Sequence, residues 1–207
     1  MSIGVDALLL VALCGTASWL VQRRRRSSSQ HPAQALLPTT DDDIWTLKAG
    51  AVLCQAQQPG QPARDWLVTE VLEPSRGSSI ALLGLLDGGG QDERALLVVL
   101  ADQKALPEDQ RQVWLLRRLS AQVSLDDGMK DPPRQREHEQ ATYQQSMDWR
   151  GLLRSRNSQR PVEPKDGRVV LYVGAGPKRM AWLQHEAAQA IYAGLELALR
   201  DLEIFPT

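Results

Sequence analysis

A glycine-rich motif near the C-terminal end has the residue types that could bind a phosphate. Val173-Gly174-Ala175-Gly176-Pro177 follows a predicted strand, as the phosphate-binding turn of a dinucleotide fold does. That turn requires a third small residue so that a helix can pack closely on the strand. Arg179 occupies this place. The motif therefore predicts a hairpin turn between two strands, without a bound nucleotide.

The histidines and cysteines do not form a metal-binding or catalytic pattern. His185-Glu186-Ala187-Ala188-Gln189 is one residue short of a zinc-binding helix motif, because Gln189 stands where a second imidazole is required. His138 lies between two glutamates, which is typical of a solvated histidine, and Cys54 is best interpreted as a small buried apolar residue. The chain has only three His and two Cys. We therefore expect a protein that is not an enzyme and has no catalytic residue, cofactor or metal.

Four arginines form the basic cluster of the predicted folded part: Arg150, Arg154, Arg156 and Arg160. Close to an anionic membrane, each could contribute about 1 kcal/mol to binding. The alternative is a solvated loop, which the overall charge favours, since 24 Lys and Arg stand against 25 Asp and Glu. That balance also gives no general attraction to nucleic acid. We predict no nucleic-acid partner, and anionic-lipid contact is the functional hypothesis for these arginines.

The N-terminal run, residues 3–22, is apolar apart from one charge, Asp6. A helix over residues 3–21 would span about 28 Å, close to the hydrocarbon thickness of about 30 Å. Arg23, Arg24, Arg25 and Arg26 come directly after it, and basic residues flank the cytoplasmic side of a span. The sequence predicts a single-pass anchor over 3–22 in the inner (plasma) membrane, with the rest of the chain in the cytoplasm.

Other interpretations of this run remain open. A cleaved secretory signal needs a basic segment before the apolar run, and residues 1–6 have none. Cys14 lies in a context similar to a lipoprotein cleavage site, but Leu13 is larger than the residue that such a site requires. Burial in a soluble core is disfavoured by the neighbouring arginines. The alternative to the cytoplasmic protein is therefore an exported or lipid-anchored envelope module.

The remaining chain divides into a tether and a β-rich domain. Residues 23–43 combine the basic stop with a polar, Pro-containing segment that predicts a flexible tether. From residue 44 to 207, short apolar runs alternate with turn-forming residues, which predicts an antiparallel meander or barrel-like domain. The predicted strands cover residues 51–56, 65–73, 80–87, 95–101, 113–119 and 168–173. The charged segment 124–140 predicts a loop between two halves, and we find no internal repeat.

Two further expectations concern the core and the secondary structure of the C-terminal end. Five tryptophans are expected in the core: Trp45, Trp66, Trp114, Trp149 and Trp182. In the last thirty residues, a set of apolar residues near helical spacing favours a C-terminal helix. Against the helix, Gly194 interrupts the run, and the leucines at 195, 197 and 199 alternate as they do in a strand.

Several short motifs of the predicted domain resemble the bacterial family catalogued as domain of unknown function 4178. That family opens with a Leu-x-x-Gly turn and an aromatic-x-Val strand, which Leu47-Lys48-Ala49-Gly50 and Trp66-Leu67-Val68 match. It closes with a Trp-x-x-x-Glu strand, a Tyr-x-Gly turn and an acidic-aromatic-Pro ending. The counterparts here are residues 182–186, 192–194 and 202–206.

The resemblance covers about residues 44–207 and implies a compact, mainly β domain. It also implies strands in place of a helix in the last thirty residues. The middle strands depart from the family, because residues 80–86 and 95–100 replace its aromatic-rich strands. No catalytic residues are established for the family, whose members often occur beside membrane-stress or channel-like proteins.

Together these features predict a non-enzymatic, membrane-anchored protein. Its cytoplasmic β-rich domain would bind another protein or assist a membrane complex, so the bilayer and a protein are the expected partners.

Overall fold

The computed structural model describes residues 41–57, 63–75, 77–90, 93–119, 131–156, 163–186 and 188–206. Within these residues, eleven strands form: β1 Val52–Gln55, β2 Arg64–Pro74, β3 Ile80–Asp87, β4 Arg94–Leu100, β5 Gln112–Arg118, β6 Gln135–His138, β7 Ala141–Ser155, β8 Lys165–Val173, β9 Lys178–His185, β10 Ala188–Ala198 and β11 Leu202–Phe205. Short 3₁₀ helices cover Asp41–Thr46, Ala101–Ala105, Glu108–Gln110 and Leu199–Asp201. The predicted anchor over 3–22 and the tether up to residue 40 lie outside the described residues. Within the described residues, no helix is long and apolar enough to cross a membrane.

All strand pairs are antiparallel and belong to one sheet, in the order β11-β1-β2-β3-β4-β5-β10-β9-β8-β7-β6. The strands β1–β5 form one meander and β6–β10 form a second one, and β5 pairs with β10 to join them. At their other side, the ends of β2 and β7 also pair, from Leu72 opposite Ser155 to Pro74 opposite Leu153. The eight strands from β2 through β5 and β10 back to β7 therefore close into a ring. The predicted mainly antiparallel β fold is confirmed.

The strands β3, β4 and β5 are buried on both faces. Their inner side chains, including Leu83, Leu96 and Leu116, pack in the centre of the ring with residues of β8 and β9. Their outer side chains, including Leu97 and Val113, pack under a covering layer made of β1, β11 and the first 3₁₀ helix. Strands that bury both faces require continuous apolar runs instead of alternation. This explains the sequences IALLGLLD of β3 and RALLVVL of β4.

A second covering layer, made of β6 and the segment before it from residue 131, lies on the other half of the ring, where Arg136 stacks over Tyr172. Tyr143 of β7 and the outer side chains of β8, β9 and β10, among them Tyr172 and Trp182, form a third apolar cluster. The hydroxyl of Tyr172 donates a hydrogen bond to the carbonyl oxygen of Pro133 at 3.0 Å. This bond ties the segment that precedes β6 to the ring.

The tryptophans pack in these clusters, as predicted. Trp66, Trp114 and Trp182 are buried, and Trp45 and Trp149 are half-buried against the first and second clusters. The Nε1 atom of Trp114 donates to Glu196 at 3.2 Å, and Arg179 stacks over the same ring with its guanidinium carbon 5.5 Å from the centroid.

Two regions differ from the sequence interpretation, which left a third open. Residues 135–138 form β6 within the segment predicted as a loop, and 120–130 lie outside the described residues. The longest strand, β7, was missed because alternate side chains of its polar sequence are exposed. At the C-terminal end the sequence left a helix and strands open, and the strands are confirmed: β10 and β11 occupy this region, since pairing of β10 with β5 buries Leu197 and lets Gly194 lie against β5.

Arg168 joins the second covering layer to the ring. Its guanidinium donates two hydrogen bonds to Asp148 of β7, at 2.8 and 2.6 Å, and a third to Asp131 at 2.9 Å. It also lies over the Trp182 ring, 5.7 Å from the centroid. Hydrogen bonding to Arg168 lowers the pKa of both aspartates, so both remain ionised well below neutral pH. The positive charge of the buried Arg168 is thus compensated by two ionised carboxylates.

Replacing Gly194 by Ala should destabilise the protein by about 2 kcal/mol or more, because the added Cβ atom would lie 2.3 Å from the Leu115 carbonyl oxygen. The urea unfolding midpoint measures the change. Ala188→Val, an exposed change on the same strand, is the matched control and should leave the free energy of unfolding within about 0.5 kcal/mol of wild type. An unchanged midpoint for Gly194→Ala would show that β5 and β10 do not approach this closely.

Candidate functional site

A cleft of about 290 Å³ lies on the outer face of the β5–β10 pair, where the two covering layers do not meet within the described part of the chain. On one side it is bounded by Gln55, at the end of β1. On the other side it is bounded by His138 and Glu139, at the turn between β6 and β7. The full lining is Gln55, Leu115, Arg117, Leu119, His138, Glu139, Tyr143, Lys178, Ala193, Gly194, Leu195 and Leu197. The cleft therefore lies at the seam between the two meanders.

The floor of the cleft is apolar and comes from β5 and β10. Leu195 is paired directly with Leu115 across the two strands, and Ala193 is paired with Arg117. Gly194 lies between these pairs, at a place where a side chain would collide with the backbone of β5. The missing side chain lets the two strands approach each other. Residue 194 faces the centre of the ring, whereas the neighbouring outer side chains of Leu115, Leu195 and Leu197 form the bottom of the cleft.

Two exposed cations stand at the rim, on opposite sides of β10. Lys178 of β9 is paired with Leu195, and Arg117 of β5 is paired with Ala193. The two Cα atoms are therefore about 12 Å apart, from strand spacings of about 4.8 Å and a rise of about 3.4 Å per residue. Both side chains are long enough to reach one anion between them.

The side of the cleft bounded by the β6–β7 turn carries a histidine, a carboxylate and a phenol. The Nε2 atom of His138 lies 3.7 Å from Oε1 of Glu139. Glu139 and Gln140 have φ angles of 47° and 60°, which is the geometry of a tight two-residue hairpin turn. Burial, and then the nearby charge of Glu139, raise the pKa of Tyr143. The phenol therefore stays neutral at pH 7 and can donate a hydrogen bond.

The cleft can hold a small group that is both anionic and aliphatic. Its volume is at the lower limit of ligand pockets, which begin at about 300 Å³. It therefore suits one or two side chains, or a small ligand, better than a dinucleotide. Among the described residues, no group of three or more His, Cys, Asp and Glu could hold a metal ion.

The three described arginines of the basic cluster have different environments. Arg150 binds Asp131 at 2.8 Å, and Arg154 is exposed on β7, opposite Glu73. Arg156 binds Glu73 at 2.9 Å through Nε, and its Nη1 atom donates to the carbonyl oxygens of residues 45 and 47 at 2.8 and 3.1 Å. Arg156 thus has a structural role, holding the first covering layer to the ring.

Anionic-lipid contact by this cluster stays a prediction. Leu152 is 45% exposed between Arg150 and Arg154, an arrangement that would suit a membrane surface. Arg160 lies outside the described residues.

The other sequence candidates fall in hairpins. The glycine-rich motif forms the predicted turn between β8 and β9, where the Gly174 amide donates to the Lys178 carbonyl oxygen at 3.0 Å. His185 and Gln189 lie on β9 and β10, so the zinc-motif-like segment forms no helix. Cys54 is half-buried on β1, and burial, with help from Asp65, raises the pKa of its thiol to about 12. The thiol is therefore protonated at neutral pH.

Sequence reasoning missed the cleft because its residues come from distant parts of the chain. Gln55, Arg117, His138 and Lys178 belong to four different strands, and none of them lies in a motif. The signal available was Gly194, which interrupts an apolar run where two strands approach.

No protein-family model matches this chain, and neither does any curated protein or solved structure. The resemblance to domain of unknown function 4178 therefore stays a proposal. The geometry of the cleft and the N-terminal sequence are the two observations that bear on function.

Replacing Arg156 by Gln should lower the free energy of unfolding by about 2 kcal/mol, because the change removes charge-assisted hydrogen bonds to Glu73 and to two backbone carbonyls. Urea unfolding measures this loss. Arg154→Gln, the same chemical change two residues earlier at an exposed position, should remain within about 0.5 kcal/mol of wild type. Equal effects of the two changes would contradict the structural role of Arg156.

Proposed function

We propose that this chain is a membrane-anchored binding protein, whose β-rich domain captures a protein partner in the cleft at the β5–β10 seam. The domain would lie on the cytoplasmic side of the inner membrane and assist a membrane complex without catalysing a reaction. The proposal includes the relationship to domain of unknown function 4178, whose members often occur beside membrane proteins.

The observation that carries this proposal is the cleft itself. Elsewhere on β5 and β10, the outer faces are covered by one or the other layer, but Leu195 and Ala193 remain half-buried at the seam. A rim of Arg117, Lys178 and His138 surrounds this aliphatic floor. Binding sites are concave and combine apolar surface with polar groups that fix the orientation of the ligand, and the cleft has both kinds of surface.

The N-terminal sequence supports the membrane part of the proposal. The apolar run 3–22 has the length of a membrane span, and Arg23 to Arg26 favour a cytoplasmic position for the β-rich domain. The alternative is an exported or lipid-anchored envelope module. A C-terminal tag discriminates between the two: protection from protease in intact spheroplasts supports the cytoplasmic protein, and digestion there supports the envelope module.

Capture of a partner from detergent-solubilised membranes tests the binding role. The full chain should retain a specific protein, and Ala193→Leu should lose most of it, because the larger side chain would fill the cleft floor. Ala188→Leu, on the same strand but outside the cleft, is the control and should capture the partner as wild type does. Failure of the wild-type protein to retain any specific partner, or equal capture by Ala193→Leu, would contradict the proposal.

A further inference from the structure

We infer that the cleft recognises an acidic, aliphatic peptide segment, in which a carboxylate is next to a Leu- or Ile-like side chain. This inference rests on the proposed binding function and specifies the chemistry of the partner. The recognition would place the carboxylate between Arg117 and Lys178 and the aliphatic group on the floor.

The charges around the cleft favour an anion. Among the residues that the structure describes, the titratable groups that line it are Arg117, Lys178, His138, Glu139 and Tyr143. The carboxylate of Glu139 is 81% exposed to solvent, and the two rim cations outnumber it. Tyr143 is neutral at pH 7. The two rim cations therefore determine the sign of the charge that the cleft attracts.

The floor adds a requirement for an aliphatic group next to the anion. Leu115 and Leu195 lie side by side, with Leu197 two residues further along β10 on the same face. Leu115 and Leu197 are already buried in the first cluster, so the apolar surface that a partner would cover comes from the half-buried Leu195 and Ala193. Removing that surface from water is favourable in proportion to its area. A free inorganic anion would pair with the rim cations but would leave the apolar floor in contact with water.

The shape of the cleft favours a peptide over a lipid headgroup. A headgroup phosphate carries polar substituents at its outer end, and these would have to lie on the leucines if the phosphate bound at the rim. In an extended peptide, neighbouring side chains point to opposite faces and alternate ones to the same face, so an acidic and an aliphatic side chain two positions apart enter the cleft together. The volume of about 290 Å³ suits such a pair.

Fluorescence anisotropy with the full chain in a neutral detergent tests the inference. The probe is a fluorescein-labelled peptide in which Glu and Leu are two positions apart, with Ser between them, so that both side chains point to the same face of the extended chain. The control peptide has Lys in place of Glu. Wild type should bind the acidic peptide at least tenfold more tightly than the basic one. The double variant Arg117→Gln, Lys178→Gln should weaken acidic-peptide binding about fivefold to tenfold, because two exposed ion pairs are lost. Lys48→Gln, Arg154→Gln, at two exposed positions outside the cleft, should have no effect.

The outcomes separate this inference from the proposed function. Equal binding of the acidic and basic peptides would overturn the inference, and this comparison does not depend on any variant folding. If membrane capture still depended on Ala193, the binding function would stand with a different partner chemistry. Soluble dihexanoylphosphatidylglycerol is the competitor that tests for a lipid headgroup. If it displaces the labelled peptide at a lower concentration than the unlabelled peptide does, the inference is overturned in favour of a lipid headgroup.

Discussion

The structure depends on the burial of β3, β4 and β5 on both faces. An eight-stranded ring buries only the inner faces of its strands, so the outer faces of these three need a covering layer of their own. The chain provides it with β1, β11 and the first 3₁₀ helix, and β6 with its preceding segment covers much of the other half. Because the two layers come from opposite ends of the sheet, they leave a seam over β5 and β10.

Each covering layer is held to the ring by an arginine. Arg156 joins the end of β7 to Glu73 and to backbone carbonyls of the first layer, and Arg168 joins β8 to Asp148 and to Asp131 before β6. Removing one member of such a set leaves a polar group without compensation, which costs more than the bond contributes net. These arginines therefore hold the covering layers to the ring.

Much of the fold could be predicted from the sequence, but the site could not. The predicted strand at 80–87 coincides with β3, because a strand buried on both faces has an unbroken apolar signal. The strand β7 has no such signal, since its polar side chains alternate towards solvent. At the C-terminal end the sequence left a helix and strands open, and the strands form because pairing with β5 outweighs the helix propensity of Ala and Leu. The cleft arises from pairing between residues about 80 positions apart, such as Leu115 and Leu195, which no local pattern records.

The seam between the two layers is, in our proposal, the surface by which this protein binds its partner. Site-specific photo-crosslinking in membranes tests this most directly, with a photoreactive phenylalanine analogue placed at Leu195 in the cleft or, as a control, at the exposed Ala188 of the same strand. We expect a discrete, larger adduct from position 195 and none from position 188. Adducts of equal yield from both positions, or an adduct from position 188 alone, would contradict the proposal.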